Sequence, residues 1–484
     1  LRHARADSAP RFSLGIASGH PRADGMVLWT RLTGAGLPER AKVEWEIAQD
    51  EGFKDIAARG EEIAETGWAH SVHAEPAGLA PGRWYWYRFR ALGVQSPVGR
   101  TRTAPAPDAA ASLNFVIASC QRFDVGHYAA WRHVAAEERL DLVLFLGDYI
   151  YEYATVPNAV RPLEGGQLRT LGEYRARYAT YKSDPALQAA HATAPWLMVW
   201  DDHEVDNDYA GLQGQSLQPD FAAQRAAAYR AYWEHLPFPK SARPVDADMR
   251  INGRLDWGRL ARIHLLDDRQ YRDPQVCPKP GRGGSNTLPL KDCPGFLDPK
   301  RSLLGAAQER WLGEGWDTAR PWNLLAQQTL MARFAWADPA GGAGNYWTDG
   351  WDGYPAARER LLGVVAQRKV PGVVVLGGDV HSHYVADLKA DWDDPAAKPI
   401  ATEFCGTSIT SLSLPQARID AARGFNPHIR YARGDQRGYV RFTLTAAQLQ
   451  AHLRTVDNAL DPASGIATAA RFVVEAGQPG AVPA

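Results

Sequence analysis

Read by its apolar and polar positions, the chain changes character once. Between residues 11 and 105, short apolar or aromatic runs alternate with turns. MVLWTRL (26–32), VEWEIAQ (43–49) and RWYWYRFRAL (83–92) are the clearest, and the last alternates well enough for a half-buried strand. PAGLAPG (76–82) supplies turn chemistry before it. Short strands at this spacing predict a small all-β sandwich of fibronectin or immunoglobulin kind over 11–105. TAPAPDAAAS (103–112) reads as a linker.

After the linker the apolar runs become continuous and end in polar residues. LNFVIASC (113–120) and DLVLFLGD (141–148) flank HYAAWRHVAAEE (127–138), which has helical spacing. Together they predict a β-α-β unit with parallel strands and a right-handed crossover. WLMVWDD (196–202), RLARIHLLDD (259–268), NLLAQQTLM (323–331) and VPGVVVLGGD (370–379) repeat the strand pattern. Helices are predicted over 171–184 and 221–236. The expected architecture is a layered α/β domain over 112–475, preceded by the β sandwich.

Composition narrows the function classes. At 484 residues, 45% hydrophobic and 23% charged, the chain is an ordinary globular protein of more than one domain. A formal net charge of −1 supplies no general attraction for nucleic acid or an anionic membrane, so no stable nucleic-acid partner is expected. No run of 18 apolar residues occurs, so no transmembrane segment is predicted. The chain starts at Leu1 without a signal-type run, as a mature exported form or a trimmed chain would. Cys277 and Cys293 flank a loop rich in Pro, Gly and Lys. They are either two free thiols or, the favoured reading, a disulfide that restricts the unfolded chain by about 3 kcal/mol. A disulfide would fit an oxidising compartment, and the expected location is periplasmic or secreted.

The chemistry lies where the strands end. Five apolar runs deliver Cys120, Asp148, Asp202, Asp267 and Asp379, the last followed by His381. Open α/β sheets hold ligands beyond the carboxyl ends of their strands. One Asp there usually caps a helix or makes a turn. Several carboxylates in one crevice repel each other and need cations to offset their charge. A metal site is expected on that ground alone.

The motifs LGDYIYEY, WDDHEVDNDYAG, LLDDRQYRD, LLAQQTLM, LGGDVHSHY and EFCGTSITS follow, in this order, an N-terminal region opening FSLGIASGHPRADGMVLWTRL. From about residue 11 to at least 440, the chain closely resembles the alkaline phosphatase D (PhoD) family of the metallophosphoesterase superfamily. That superfamily has an ordered pattern: D-x-H, GD, GNH[DE], a lone His and GH-x-H. Here GD is intact at Gly147-Asp148, GNHE is replaced by DDHE, and GH-x-H by GD-V-H. By position, Cys120 fills the first-strand place and Asp267 that of the lone His. These departures argue against an ordinary di-zinc or di-manganese enzyme.

The resemblance implies two unlike sites. Cys120, Asp148, Tyr151 and His381 would hold ferric iron, a donor set suited to a redox-capable transition metal. Asp148, Asp202, Asp267 and Asp379 would hold calcium through hard oxygens, with Asn207 as a further donor and Asp148 bridging. His203 would stabilise charge or protonate the leaving oxygen. Arg269 would fork onto the phosphoryl oxygens, or else pair with the carboxylates around it. Packing or turn roles remain open for Cys120, Tyr151 and Asp267, with Asp268 as the alternative to the last. His383, Asp201 and Glu204 are expected to orient neighbours, and Cys405 to pack.

The implied activity is hydrolysis of phosphomonoesters, and of phosphodiesters as a further class, by a metal-bound hydroxide, releasing phosphate. Small phosphate esters are the expected partners, with lipid headgroups and phosphodiester polymers as further candidates. The alternatives are a phosphodiesterase with phospholipase D-like action and an inactive, metal-bound surface-binding protein.

Overall fold

The computed structural model describes residues 11–394 and 396–484. The N-terminal region forms β1 (Ile16–Arg22), β2 (Gly25–Arg31), β3 (Arg40–Ala48), β4 (Ile56–Glu65), β5 (Ser71–Ala74), β6 (Trp84–Ala91), β7 (Val94–Gln95) and β8 (Gly99–Arg102). There follow β9 (Leu113–Ala118), α1 (Ala129–Ala135), β10 (Leu142–Leu146), α2 (Leu171–Lys182), α3 (Pro185–Thr193), β11 (Trp196–Val199) and α4 (Phe221–His235). The next stretch carries β12 (Gly253–Trp257), β13 (Ala261–Leu265), β14 (Thr287–Pro289), α5 (Gly305–Gly315), β15 (Trp322–Ala326), β16 (Asn345–Trp347), α6 (Pro355–Arg368) and β17 (Val373–Gly377). The last is mostly antiparallel: β18 (His383–Lys389), β19 (Pro399–Cys405), α7 (Gln416–Arg423), β20 (Ile429–Arg433), β21 (Gly438–Leu444), β22 (Gln448–Val456), β23 (Ile466–Glu475) and β24 (Gln478–Pro483).

Two large sheets face each other. One runs β24-β23-β22-β21-β9-β10-β11-β1-β2-β5, and the other β12-β13-β15-β17-β19-β18-β20. The strands that read as continuous apolar runs are buried on both faces, as strands between two layers must be. On β17, Val374 and Leu376 join the core between the sheets, while Val373 and Val375 join the core under α5 and α6. Phe442 stacks on Phe115 at 4.7 Å and meets Phe404 edge-on at 5.4 Å, so three strands interlock through aromatic rings. β9, β10 and β11 are parallel neighbours, as are β13, β15, β17 and β19. Their carboxyl ends therefore open on one side of the molecule.

The helices start where local chemistry allows. Thr170 and Glu173 make a reciprocal capping box at α2. Asp184 caps α3, whose first position is Pro185. The expected strand over 323–331 stops at Ala326; beyond it the Gln327 side chain donates to the Thr329 carbonyl and the Gln328 amide to the carbonyls of Trp200 and Leu266.

The N-terminal β region is joined to the rest by more than a linker. β1, β2 and β5 extend the ten-stranded sheet, and β3, β4, β6, β7 and β8 pack over them as a separate sheet. β1 lies parallel to β11 with Gly19 opposite Trp196. A Cβ at Gly19 would sit 2.7 Å from the Pro237 carbonyl oxygen and 2.8 Å from that of Trp196, so only glycine permits the approach. Cys277 and Cys293 form a disulfide.

Candidate metal centre

The strand ends turn sharply at the open side. Cys120, Asp148, Asp208, Asp379 and His381 all have positive φ, at 60, 61, 54, 63 and 53°. Each such residue costs on the order of 1 kcal/mol or more, and such strain concentrates at functional sites. Gly147, at φ 108°, lets β10 end against β11, since a Cβ there would lie 2.4 Å from the Asp201 Cβ. Glu204 ties the same two ends together. Its carboxylate accepts backbone N–H bonds from Asp148 (3.1 Å), Tyr149 (2.5 Å) and Asp201 (2.9 Å).

Three overlapping groups of ligand atoms result, each spanning no more than 4.8 Å: Cys120, Asp148 and His381; Asp148, Asp202 and His203; Asp202, Asp208 and Asp349. Asp148 joins the first two and Asp202 the last two. Tyr151 belongs with the first, its hydroxyl donating to Asp148 Oδ2 at 2.7 Å and lying 3.2 Å from His381 Nε2. Ser411 Oγ buttresses that hydroxyl at 2.7 Å. His381 Nδ1 lies 2.7 Å from the Leu412 carbonyl oxygen. A proton donated there leaves the Nε2 lone pair facing Asp148.

The residues fit cations. Asp148 Oδ1 and Asp379 Oδ2 are buried and have no hydrogen-bond partner among the described residues, although buried polar atoms are normally paired. Burial pushes the carboxyl of Asp379 well above its usual range, against the pull of Arg269. Burial, then Asp148, raises the Cys120 thiol, and the same two causes raise the Tyr151 phenol. A cation would reverse all three by rewarding the anionic form. The donors are of two kinds: thiol, phenol, imidazole and carboxylate on one side of Asp148, and carboxylate oxygens on the other.

His203 is fixed by two neighbours. Its Nδ1 lies 2.7 Å from Glu152 Oε2, and the Tyr151 ring stacks on it at 4.1 Å. Burial works to lower its pKa, but Glu152, Asp202 and Asp148 overcome this and hold it well above the usual range. Glu152 Oε1 also accepts the Asn207 N–H, at 2.9 Å.

Two residues singled out from the sequence sit in the alternative settings left open for them. Asp267 is not gathered with the other carboxylates. Its Oδ1 accepts from Trp200 Nε1 and from the backbone N–H groups of Arg269 and Gln270, and its Oδ2 from the Gln270 amide. It is fully engaged in a turn, the alternative left open for it. Arg269 is 1% exposed and sits among carboxylates. Its guanidinium bonds Asp201 and, at 2.6 Å, Asp349, with Asp202 at 3.7 Å and Asp379 at 4.0 Å. It is the internal counter-ion of the carboxylates. The sequence reading missed Glu152, Asp208, Asp349 and Arg272, whose Nη2 donates to Asp349 at 2.8 Å. Glu152 and Asp208 lie inside the motifs already quoted, whereas Asp349 sits in a loop with no apolar run before it.

The chain resembles known proteins along nearly its whole length. Residues 115–453 match the PhoD-like phosphatase family, and residues 2–105 match its N-terminal domain. Alkaline phosphatase D of Bacillus subtilis (strain 168) is 42% identical over 501 residues, covering 98% of this chain and 83% of the relative. A solved structure of PhoD superposes with a TM-score of 0.92 at 41% identity, covering 99% of this chain and 93% of that one. A purple acid phosphatase from yellow lupin shares the fold at a TM-score of 0.56 and 12% identity, covering 95% and 74%. With both of its regions matched and a relative alike along nearly its whole length, the chain belongs to the PhoD-like phosphatase family and is a phosphoric ester hydrolase.

Proposed function

We propose that the chain hydrolyses phosphomonoesters, and phosphodiesters that its cavity admits, at a mixed centre of ferric iron and calcium. Cys120, Asp148, Tyr151 and His381 would hold the iron. Asp148, Asp202 and Asp379 would hold calcium, with Asn207 facing the same cavity. When bound, the two cations supply Lewis acidity that lowers the pKa of a water and stabilises charge on the phosphoryl oxygens. Asp148, which belongs to two of the ligand groups, would serve both sites. Glu152 keeps His203 protonated and aimed, and His203 gives that proton to the departing alkoxide. Arg269 keeps Asp201, Asp202, Asp349 and Asp379 close together despite their like charge. The disulfide in a loop beside the site supports a location outside the reducing cytoplasm. Among the described residues no helix is long and apolar enough to cross a membrane.

The observation that carries the reading is the unpaired, buried Oδ1 of Asp148 between two ligand groups. It is tested by turnover of nitrophenyl phosphate and of its bis ester before and after calcium chelation. Chelation abolishes activity, and calcium restores it where zinc does not. Full activity in chelated protein would overturn the calcium assignment.

A further inference from the structure

The cavity over the centre, about 470 Å³, has two unlike halves. Asp202, His203, Asp379 and His381 form its floor, and Phe334, Trp336, Trp347, Val380, Leu412 and Leu414 form much of its wall. The wall is built rather than incidental. Phe334 is buried, edge-on to Trp336 at 4.7 Å and to Tyr384 at 5.4 Å. The Trp336 backbone N–H donates to the Asn345 carbonyl at 2.8 Å, and Trp347 is set opposite Thr287 by pairing of β14 with β16. Arg418 covers the Trp336 ring at 5.0 Å.

Leu412 and Leu414 are 71% and 41% exposed, yet both border this one space. Leu412 is also coupled to the floor: its carbonyl orients His381, and its neighbour Ser411 buttresses Tyr151. A phosphoryl group on the floor has this apolar wall beside it for its ester substituent. Ligand sites commonly join a few polar groups to an apolar lining in this way.

We propose that the wall is the subsite for the alcohol portion of the ester. The enzyme then selects soluble phosphate esters of medium-length alkyl or aryl alcohols over those of small polyols. This deepens, and rests on, the phosphoesterase reading above.

The test uses metal-replete enzyme and two series of ligands, all below the concentrations at which they aggregate. The first is methyl, butyl and hexyl phosphonate, with binding measured by calorimetry. The second is ethyl, butyl and hexyl phosphate, whose alcohols are alike in acidity, with kcat/KM measured by phosphate release. Affinity and kcat/KM should rise about fourfold per added methylene until the wall is covered. In Trp347→Ala, and separately in Leu412→Ser, the hexyl-to-shortest ratio should fall towards one. The Leu412 side chain is in solvent, so that variant tests the idea even if Trp347→Ala fails to fold. A flat series in the wild type would overturn the subsite. Graded phosphonate binding without turnover of any ester would leave the subsite standing and contradict the phosphoesterase reading instead.

Discussion

At the scale of single residues, the site divides into groups that would face substrate and groups that hold others in place. His203 is in the first class. Its Nδ1 is committed to Glu152 and its ring to Tyr151, which leaves one N–H for the cavity. His203→Asn should slow hydrolysis of alkyl phosphates by about 10²–10⁴, the usual worth of a general acid. Nitrophenyl phosphate, whose leaving group needs little protonation, should lose far less. Metal content should be unchanged; loss of metal in this variant would make His203 a ligand instead. Arg269 is in the second class. Arg269→Ala leaves Asp201 buried without its cation and Asp349 with Arg272 alone, which should cost about 3–5 kcal/mol in denaturant unfolding. A variant of normal stability, slow only in turnover, would return Arg269 to the role of substrate contact.

At the scale of elements, the strand ends explain which site residues the sequence discloses. β9, β10, β11 and β17 lie between layers and read as unbroken apolar runs, so the polar residue after each stands out. Cys120, Asp148, Asp202 and Asp379 were legible for that reason. Asp267 follows β13 with the same signature. Only the direction of the next backbone N–H groups decides whether such a carboxylate turns inwards or faces the cleft, and a linear pattern does not contain that direction. Strands β21 to β24 were not expected either, although QLQAHLRTV on β22 alternates in burial residue by residue. Their half-polar faces lack the continuous runs that marked the parallel strands.

The end of α2 supplies a stability prediction independent of the metals. Lys182 is 2% exposed, with Nζ 4.1 Å from the Trp29 ring of β2. Burial lowers its pKa from 10.5 to about 7. The unfolded chain thus holds a proton that the fold gives up, and the penalty is full below about pH 7 and fades as pH rises towards 10.5. Lys182→Met should stabilise the protein by roughly 1–3 kcal/mol below pH 7, after loss of the cation–π contact, and by less at pH 9.5. Urea unfolding at both pH values measures this. An increment that does not shrink with pH would contradict the buried charge.

At the scale of the whole molecule, two parallel strand sets open on one side, and an N-terminal sheet is continuous with the larger of them. The parallel order brings together residues more than 200 positions apart, such as Tyr151 and His381. The α/β architecture and the β region before it were readable from periodicity. The fusion of that region through β1 and β11 was not, because it rests on one close backbone approach at Gly19. What the assembled site would hold is the central claim, and elemental analysis of native, untagged protein tests it most directly. The account predicts about one iron and at least one calcium per chain; two zinc ions and no iron would contradict it.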